Sequence, residues 1–236
     1  MMNTIYQIKT QSCLKALYQI GFDLESIKAK YALMKFADSD ISKADLFTGV
    51  LANQLQPAHV DYLNQKCSLT YFKDKRTPVE YGIDLVLGWL IEDAVLQTLN
   101  KAGFKSTLDG NDRLRDFLTA NSISAQPDIR IQTRSAKSLE VFADWRGTWR
   151  RYGHADLRDN KFLSLKNKRA YLLGISPIDS QGFLIDFSSE SNLFTYIPSI
   201  KGYGGKSGYS CDSIQTKLMP LGEVISHLIE GLRKLN

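Results

Sequence analysis

The segment 126–147, QPDIRIQTRSAKSLEVFADWRG, carries three carboxylates, Asp128, Glu140 and Asp144, with the cation Arg146 two residues after the last of them. It reads as two short strands, 127–133 and 139–145, joined by the polar break Arg134, Ser135, Ala136 and Lys137. Side chains alternate along a strand, so Glu140, Phe142, Asp144 and Arg146 share one face, and Leu139, Val141, Ala143 and Trp145 the other. With Asp128 opening the neighbouring strand, the hairpin gathers its carboxylates at one end of a sheet. Carboxylates crowded in this way repel unless something positive sits among them, and oxygen-only ligands call for a hard divalent ion, Mg2+. Asp128, Glu140 and Asp144 are the expected metal ligands. The plainer alternative is a hairpin whose solvent face carries ordinary charges.

The pattern Pro127-Asp128, then a loop, then an acid on the next strand resembles the PD-(D/E)XK nuclease superfamily. That superfamily includes most type II restriction endonucleases and the archaeal Holliday junction resolvases. Its second half is an acid, any residue and a lysine. Here it can be read in two registers, Glu140-Val141-Phe142 or Asp144-Trp145-Arg146, and neither contains the lysine. In the second, Arg146 stands in the lysine's place, where it supplies positive charge but cannot act as a general base near neutral pH. The resemblance implies an α/β (α+β) fold, a central mixed β-sheet flanked by helices in a restriction-endonuclease-like core with an N-terminal helical elaboration. It implies a Mg2+-dependent endonuclease acting on double-stranded DNA. The catalytic candidates are Glu92, Asp128, Glu140, Asp144, Arg146 and Lys161.

The elements that must position these groups are legible on both sides. Thr77-Pro78-Val79-Glu80 is a capping box with proline at the first helical position, and Gly103 is a stop. On a helical wheel at about 100° per residue, Glu92 falls among Tyr81, Leu85, Trp89, Val95, Leu96 and Leu99, while Asp93, Gln97 and Lys101 lie on another side. A carboxylate in an apolar stripe is costly unless it is paired or bound to metal. Glu92 is therefore either the superfamily's helix glutamate or one partner of a salt bridge. A strand at 104–108, antiparallel to the 127–133 strand, completes a meander of three. Asp109, Asp112 and Asp116 read as turn and cap residues. Helix, strand, strand, helix, strand is the order of the superfamily core, and the match covers roughly residues 78–187.

Residues 145–170 hold eight Lys or Arg against two acids, Asp156 and Asp159, in what reads as a basic loop and helix leading to a strand at 170–175. Trp145, Trp149, Tyr152 and Phe162 are interleaved with the cations, which a merely solvated basic helix does not require. Phosphate contacts are expected from Arg150, Arg151, His154, Arg158 and Lys166. Lys161, in HADLRDNK, is the candidate to replace the missing lysine. The glycine-rich stretch 196–209 reads as a mobile loop that offers Lys201 and Lys206 to DNA. Its Gly202, Gly205 and Lys206-Ser207 lack the spacing of a phosphate-binding P-loop, so no nucleotide cofactor is expected.

The remaining sequence frames these elements as one domain of 236 residues: a mainly helical N-terminal part (1–77), the core (78–187), and the glycine-rich loop with a C-terminal helix (188–236). Helices are expected at 10–20, 24–36, 43–54 and 221–235, with Gln56-Pro57 closing the third. A short apolar segment stands at 69–72, and strands are expected from YLLGISP and GFLIDFSS. A net charge of +5 is compatible with a polyanionic partner. Three cysteines without CxxC or histidine spacing give neither a disulfide framework nor a zinc site. The longest apolar run is far short of a bilayer span, so no membrane partner is expected, and the expected location is the cytoplasm. A homodimer on a palindromic DNA site is the arrangement the resemblance suggests. The alternatives are a junction-resolving nuclease on the same core, or a DNA-binding protein without catalysis.

Overall fold

The computed structural model describes residues 4–67, 76–110, 113–117 and 125–236; the segment 69–72 and Asp112 lie outside them. The protein is mixed α/β and divides into two compact units: Met1–Ala94 with Asn111–Ser124, and Val95–Gly110 with Ala125–Asn236.

The first unit is helical. It holds α1 (Thr4–Ile20), α2 (Leu24–Tyr31), α3 (Lys43–Leu51), α4 (Pro57–Cys67) and most of α5 (Pro78–Lys101). Side-chain caps start two of them, with Asp23 accepting from the Ser26 N–H and Ser42 from the Asp45 N–H. Two departures from expectation have local causes. The helix expected over 24–36 stops at Tyr31, and Gln56-Pro57 begins a helix rather than ending one, because proline's fixed φ suits the first helical position. The aromatic residues Tyr31, Phe36, Phe47, Tyr62, Trp89 and Phe117 pack edge-on, tilted or stacked against one another in the core. For α5 the capping box forms as written: the Thr77 N–H donates to Glu80 and the Glu80 N–H to the Thr77 hydroxyl. The helix ends two residues before the left-handed Gly103.

The second unit is built on a six-stranded mixed sheet in the order β1-β2-β3-β5-β6-β9. The expected meander is present: β1 (Lys105–Leu108) pairs antiparallel with β2 (Ile129–Gln132), and β2 with β3 (Lys137–Ala143). β3 starts and ends two residues earlier than expected. It then runs parallel to β5 (Tyr171–Ser176), which pairs antiparallel with β6 (Gln181–Asp186); β6 in turn takes β9 (Met219–Pro220). The parallel pairing needs a crossover. That crossover is α6 (Thr148–Tyr152), β4 (Ala155–Arg158) and α7 (Asp159–Lys168).

A second sheet, β4-β8-β7, was not expected. Residues 196–209, expected as a loop, form most of the hairpin β7 (Thr195–Ile200) and β8 (Lys206–Cys211). Packing overrides the glycine content here. The Tyr209 ring stacks on Phe162 of α7 at 3.7 Å between centroids, and β8 aligns Leu157 with Tyr209. Gly208 is needed for the close approach, because an added Cβ would meet the Leu157 carbonyl at 2.5 Å. Trp149, Leu157, Phe162, Leu172, Phe183 and Phe194 lie in the core cluster of this unit. α8 (Ile214–Lys217) precedes β9, and α9 (Leu221–Arg233) packs its buried Leu221, Val224, Ile225, Leu228 and Leu232 on the β6 side.

Candidate functional site

Pro127 fixes the chain just before β2, and Asp128 sits one residue ahead of that strand. Its main-chain carbonyl accepts the Asp109 N–H at 2.7 Å, and its carboxylate Oδ2 accepts the Val141 N–H at 2.8 Å. The carboxylate is thereby pinned onto the middle of the neighbouring β3. Glu140 is the residue before Val141, aligned with Leu172 of β5, and only 7% exposed. Both faces of β3 are covered here, which is why a charged side chain is buried at mid-strand. Its cation comes from α7. Lys161 Nζ lies 2.8 Å from Glu140 Oε1, 2.8 Å from Oε2 and 3.2 Å from the Gln126 carbonyl oxygen.

Burial pushes the Glu140 carboxyl well above the usual carboxylate range, and the like charge of Asp128 adds to the push; Lys161 draws it back in part. A carboxyl raised in this way disfavours folding as it ionises. Below the ordinary glutamate range both folded and unfolded chains hold the proton. Between that range and the raised folded value, only the folded chain does, so stability falls as pH rises through this window. The expected result is a decline of up to about 1.4 kcal/mol per pH unit in metal-free buffer. Glu140→Gln flattens this decline. Thermal unfolding of both proteins from pH 5 to 8 in EDTA checks it, and an equal slope in the two would contradict the coupling.

The other candidates are placed as follows. Asp144, just beyond the end of β3, is buried and turned to α6: its Oδ1 accepts the Arg146 N–H and its Oδ2 the Trp149 N–H, each at 3.0 Å. It holds the turn into α6, so of the two registers the geometry brings Glu140, not Asp144, to Asp128. The physical reason is the earlier end of β3, which takes Asp144 out of the strand's alternation. Arg146 is exposed in that turn. Glu92 belongs to the first unit, where its carboxylate takes the Arg115 guanidinium at 2.6 Å, the salt-bridge alternative of the sequence. Its neighbour Asp93 is the more deeply buried. It receives Tyr31 Oη, Lys30 Nζ at 2.7 Å and Arg115 Nη2 at 2.7 Å.

Of the basic residues, Arg150, Arg151, Arg158, Lys166, Lys201 and Lys206 are exposed, and His154 is half-buried, 3.8 Å from Asp156. Arg150 approaches Asp179 at 3.6 Å, and the Arg158 guanidinium lies over the Tyr203 ring at 5.4 Å. Tyr203 donates to the Asp156 carbonyl, and its hydroxyl is pushed up to about 12 by burial. The interleaved aromatic residues do not belong to this surface as a set. Trp149 and Phe162 are core, Trp145 is half-buried, and Tyr152 is exposed. Ser207 of β8 donates to Asp159, the first residue of α7, so the β7–β8 hairpin adjoins the helical turn that carries Lys161.

The donor set suits a hard divalent cation. It is oxygen-only, and a cation between Asp128 and Glu140 would offset both the burial that raises Glu140 and the like charge of Asp128 that adds to it. Among the described residues, no three of His, Cys, Asp and Glu gather as a ligand group. A divalent ion held here would rest on the two carboxylates and complete its shell with main-chain oxygens and water. The Gln126 carbonyl had no signal in the sequence, since a main-chain oxygen leaves none; only the following proline, which biases residue 126 to extended backbone, hinted at its presentation. No family model matches the chain, and a search of curated proteins finds none similar to it. Among the described residues, no helix is long and apolar enough to cross a membrane.

Proposed function

We propose that the protein is a Mg2+-dependent endodeoxyribonuclease that hydrolyses double-stranded DNA, with a PD-(D/E)XK-like site made by Asp128, Glu140 and Lys161. The observation that carries this reading is the trio itself: one carboxylate just ahead of β2 and one on the neighbouring β3, linked through the Val141 N–H, with a lysine from α7 on the second. Phe142 stands where the superfamily places its lysine, and Lys161 supplies the ammonium from α7 instead.

Mg2+ held by Asp128 and Glu140 would polarise the scissile phosphate and lower the pKa of a bound water. The protein's own part is positional. The Val141 N–H fixes the Asp128 carboxylate, and β3 holds Glu140 in a buried setting where its charge acts through little water. Lys161 supplies a cation to offset charge that develops on the phosphate. The exposed Arg150, Arg151, Arg158, Lys201 and Lys206 supply contacts to the phosphate backbone, and Asp144 shapes the turn that presents Arg146. On this reading the enzyme is a type II restriction endonuclease of the cytoplasm, working as a homodimer on a palindromic site.

Binding and cleavage can be separated by cation. Long unmethylated duplex DNA titrated with protein in Ca2+ is expected to bind with an affinity that falls steeply as salt rises. Replacing both Lys201 and Lys206 by alanine lowers the slope of log affinity against log salt by about 2. Substituting Mg2+ for Ca2+ then shortens the DNA. Salt-independent binding, or none, contradicts the reading; preference for branched over duplex DNA moves it to a junction nuclease.

A further inference from the structure

The Lys161 ammonium does not sit beside Glu140 as a distant counter-charge. It is equidistant from both carboxylate oxygens, 2.8 Å from each, and takes the Gln126 carbonyl as a further oxygen at 3.2 Å. Oxygens that converge on one point from a carboxylate and a main-chain carbonyl make a cation site, and here a tethered cation fills it. A divalent ion bound through Glu140 needs the same lone pairs, and two cations on one carboxylate repel each other strongly where water is scarce. Glu140 is buried, its side chain 9% exposed, and the Lys161 side chain is 23% exposed, so the ammonium is the more open of the two to water.

From this juxtaposition we propose that Lys161 is an internal cation which a divalent cation must displace: in the metal-free protein its ammonium occupies both Glu140 oxygens, and metal binding exchanges it outward. The proposal rests on the reading of Asp128 and Glu140 as a divalent-ion site, and it adds a regulatory consequence. The ion pair masks Glu140 at low divalent concentration and weakens metal affinity. Once displaced, the ammonium becomes free to meet a phosphate. The route outward lies beside the first turn of α7, where Arg158 and the Ser207–Asp159 contact border the helix start. A long lysine stem on that turn swings its head group without moving the helix. Arginine would not serve, since its planar fork would hold the carboxylate with two parallel bonds and give it up less readily.

The experiment measures Mn2+ affinity by calorimetry without DNA, in wild-type protein, Lys161→Met and Lys168→Met. Lys168 is exposed near the end of the same helix and serves as the control for general charge. In parallel, wild-type protein is treated with an amine-acetylating ester, with and without saturating Mn2+, and labelling at Lys161 is read by peptide mass spectrometry. The expected results are at least tenfold tighter Mn2+ binding in Lys161→Met, a change under twofold in Lys168→Met, and labelling of Lys161 at least fivefold faster with Mn2+. Equal affinity in wild type and Lys161→Met overturns the exchange, as does labelling that Mn2+ leaves unchanged or slows. The labelling arm uses wild-type protein, so it decides the matter even where the methionine variant folds poorly. Absence of Mn2+ binding in every protein contradicts the metal-site reading itself, whereas binding without exchange leaves that reading standing and removes only the displaced-cation role.

Discussion

Asp128→Ala and Glu140→Ala are each expected to lower the proposed Mg2+-dependent rate of DNA cleavage by about 1,000-fold or more, a loss of about 4 kcal/mol of transition-state stabilisation. The size follows from the arrangement. In the proposed site each carboxylate supplies half of the acidic ligand set, and among the described residues no third acid gathers with them to take over. Asp144→Ala behaves differently. Its carboxylate serves the Arg146 and Trp149 N–H groups, so its removal costs about 1 kcal/mol of stability, as loss of a cap does, and leaves the rate within about threefold. Conversion of supercoiled plasmid under excess enzyme, alongside urea unfolding of each variant, separates the two effects. A folded Asp144→Ala protein as inactive as Glu140→Ala would restore the other register.

The second large effect concerns stability in the first unit. Arg115 and Asp93 are both almost wholly buried, at 2% and 1% exposure, and Arg115 binds Asp93 and Glu92 together. Burial alone would strip charge from the guanidinium, but Glu92 and Asp93 outweigh it and hold the group protonated. Arg115→Met therefore leaves Asp93 with Tyr31 and the partly exposed Lys30 as its remaining named partners in the interior. The expected loss is about 3 to 5 kcal/mol, the cost of removing one member of a buried ion pair. Adding Asp93→Asn to Arg115→Met recovers part of it, because the orphaned charge is gone. Urea midpoints for the single and double variants check this, and a loss below about 1 kcal/mol in Arg115→Met would show that the network is incidental.

What could be read from the sequence was mostly local. The capping box at Thr77 and Glu80, the stop at Gly103, the meander of β1 to β3 and the stripe of α9 each follow from residues close together in the chain. The β4-β8-β7 sheet did not, because it joins segments about fifty residues apart and depends on the stack of Tyr209 against Phe162. Within α5 the wheel singled out Glu92, yet Asp93 is the deeper carboxylate. The helix is buried around most of its circumference, and the choice between adjacent acids was made by Arg115, more than twenty residues further on. The two acid registers at the candidate site share the strand's period of two, so alternation alone could not choose between Glu140 and Asp144. The end of β3 at Ala143 makes the choice. Lys161 was visible as a cation of the right kind, but its reach to Glu140 depends on how α7 crosses β3, which is a tertiary fact.

The central claim is that the Asp128–Glu140 pair performs metal-dependent hydrolysis of DNA. Unmethylated phage DNA incubated with the purified protein in Mg2+ or in EDTA, beside an Asp128→Ala control, tests it most directly on a gel. The account predicts discrete fragments with wild-type protein in Mg2+ and intact DNA in the other lanes. Intact DNA with folded wild-type protein in Mg2+, or fragments that persist in EDTA or with Asp128→Ala, would contradict it.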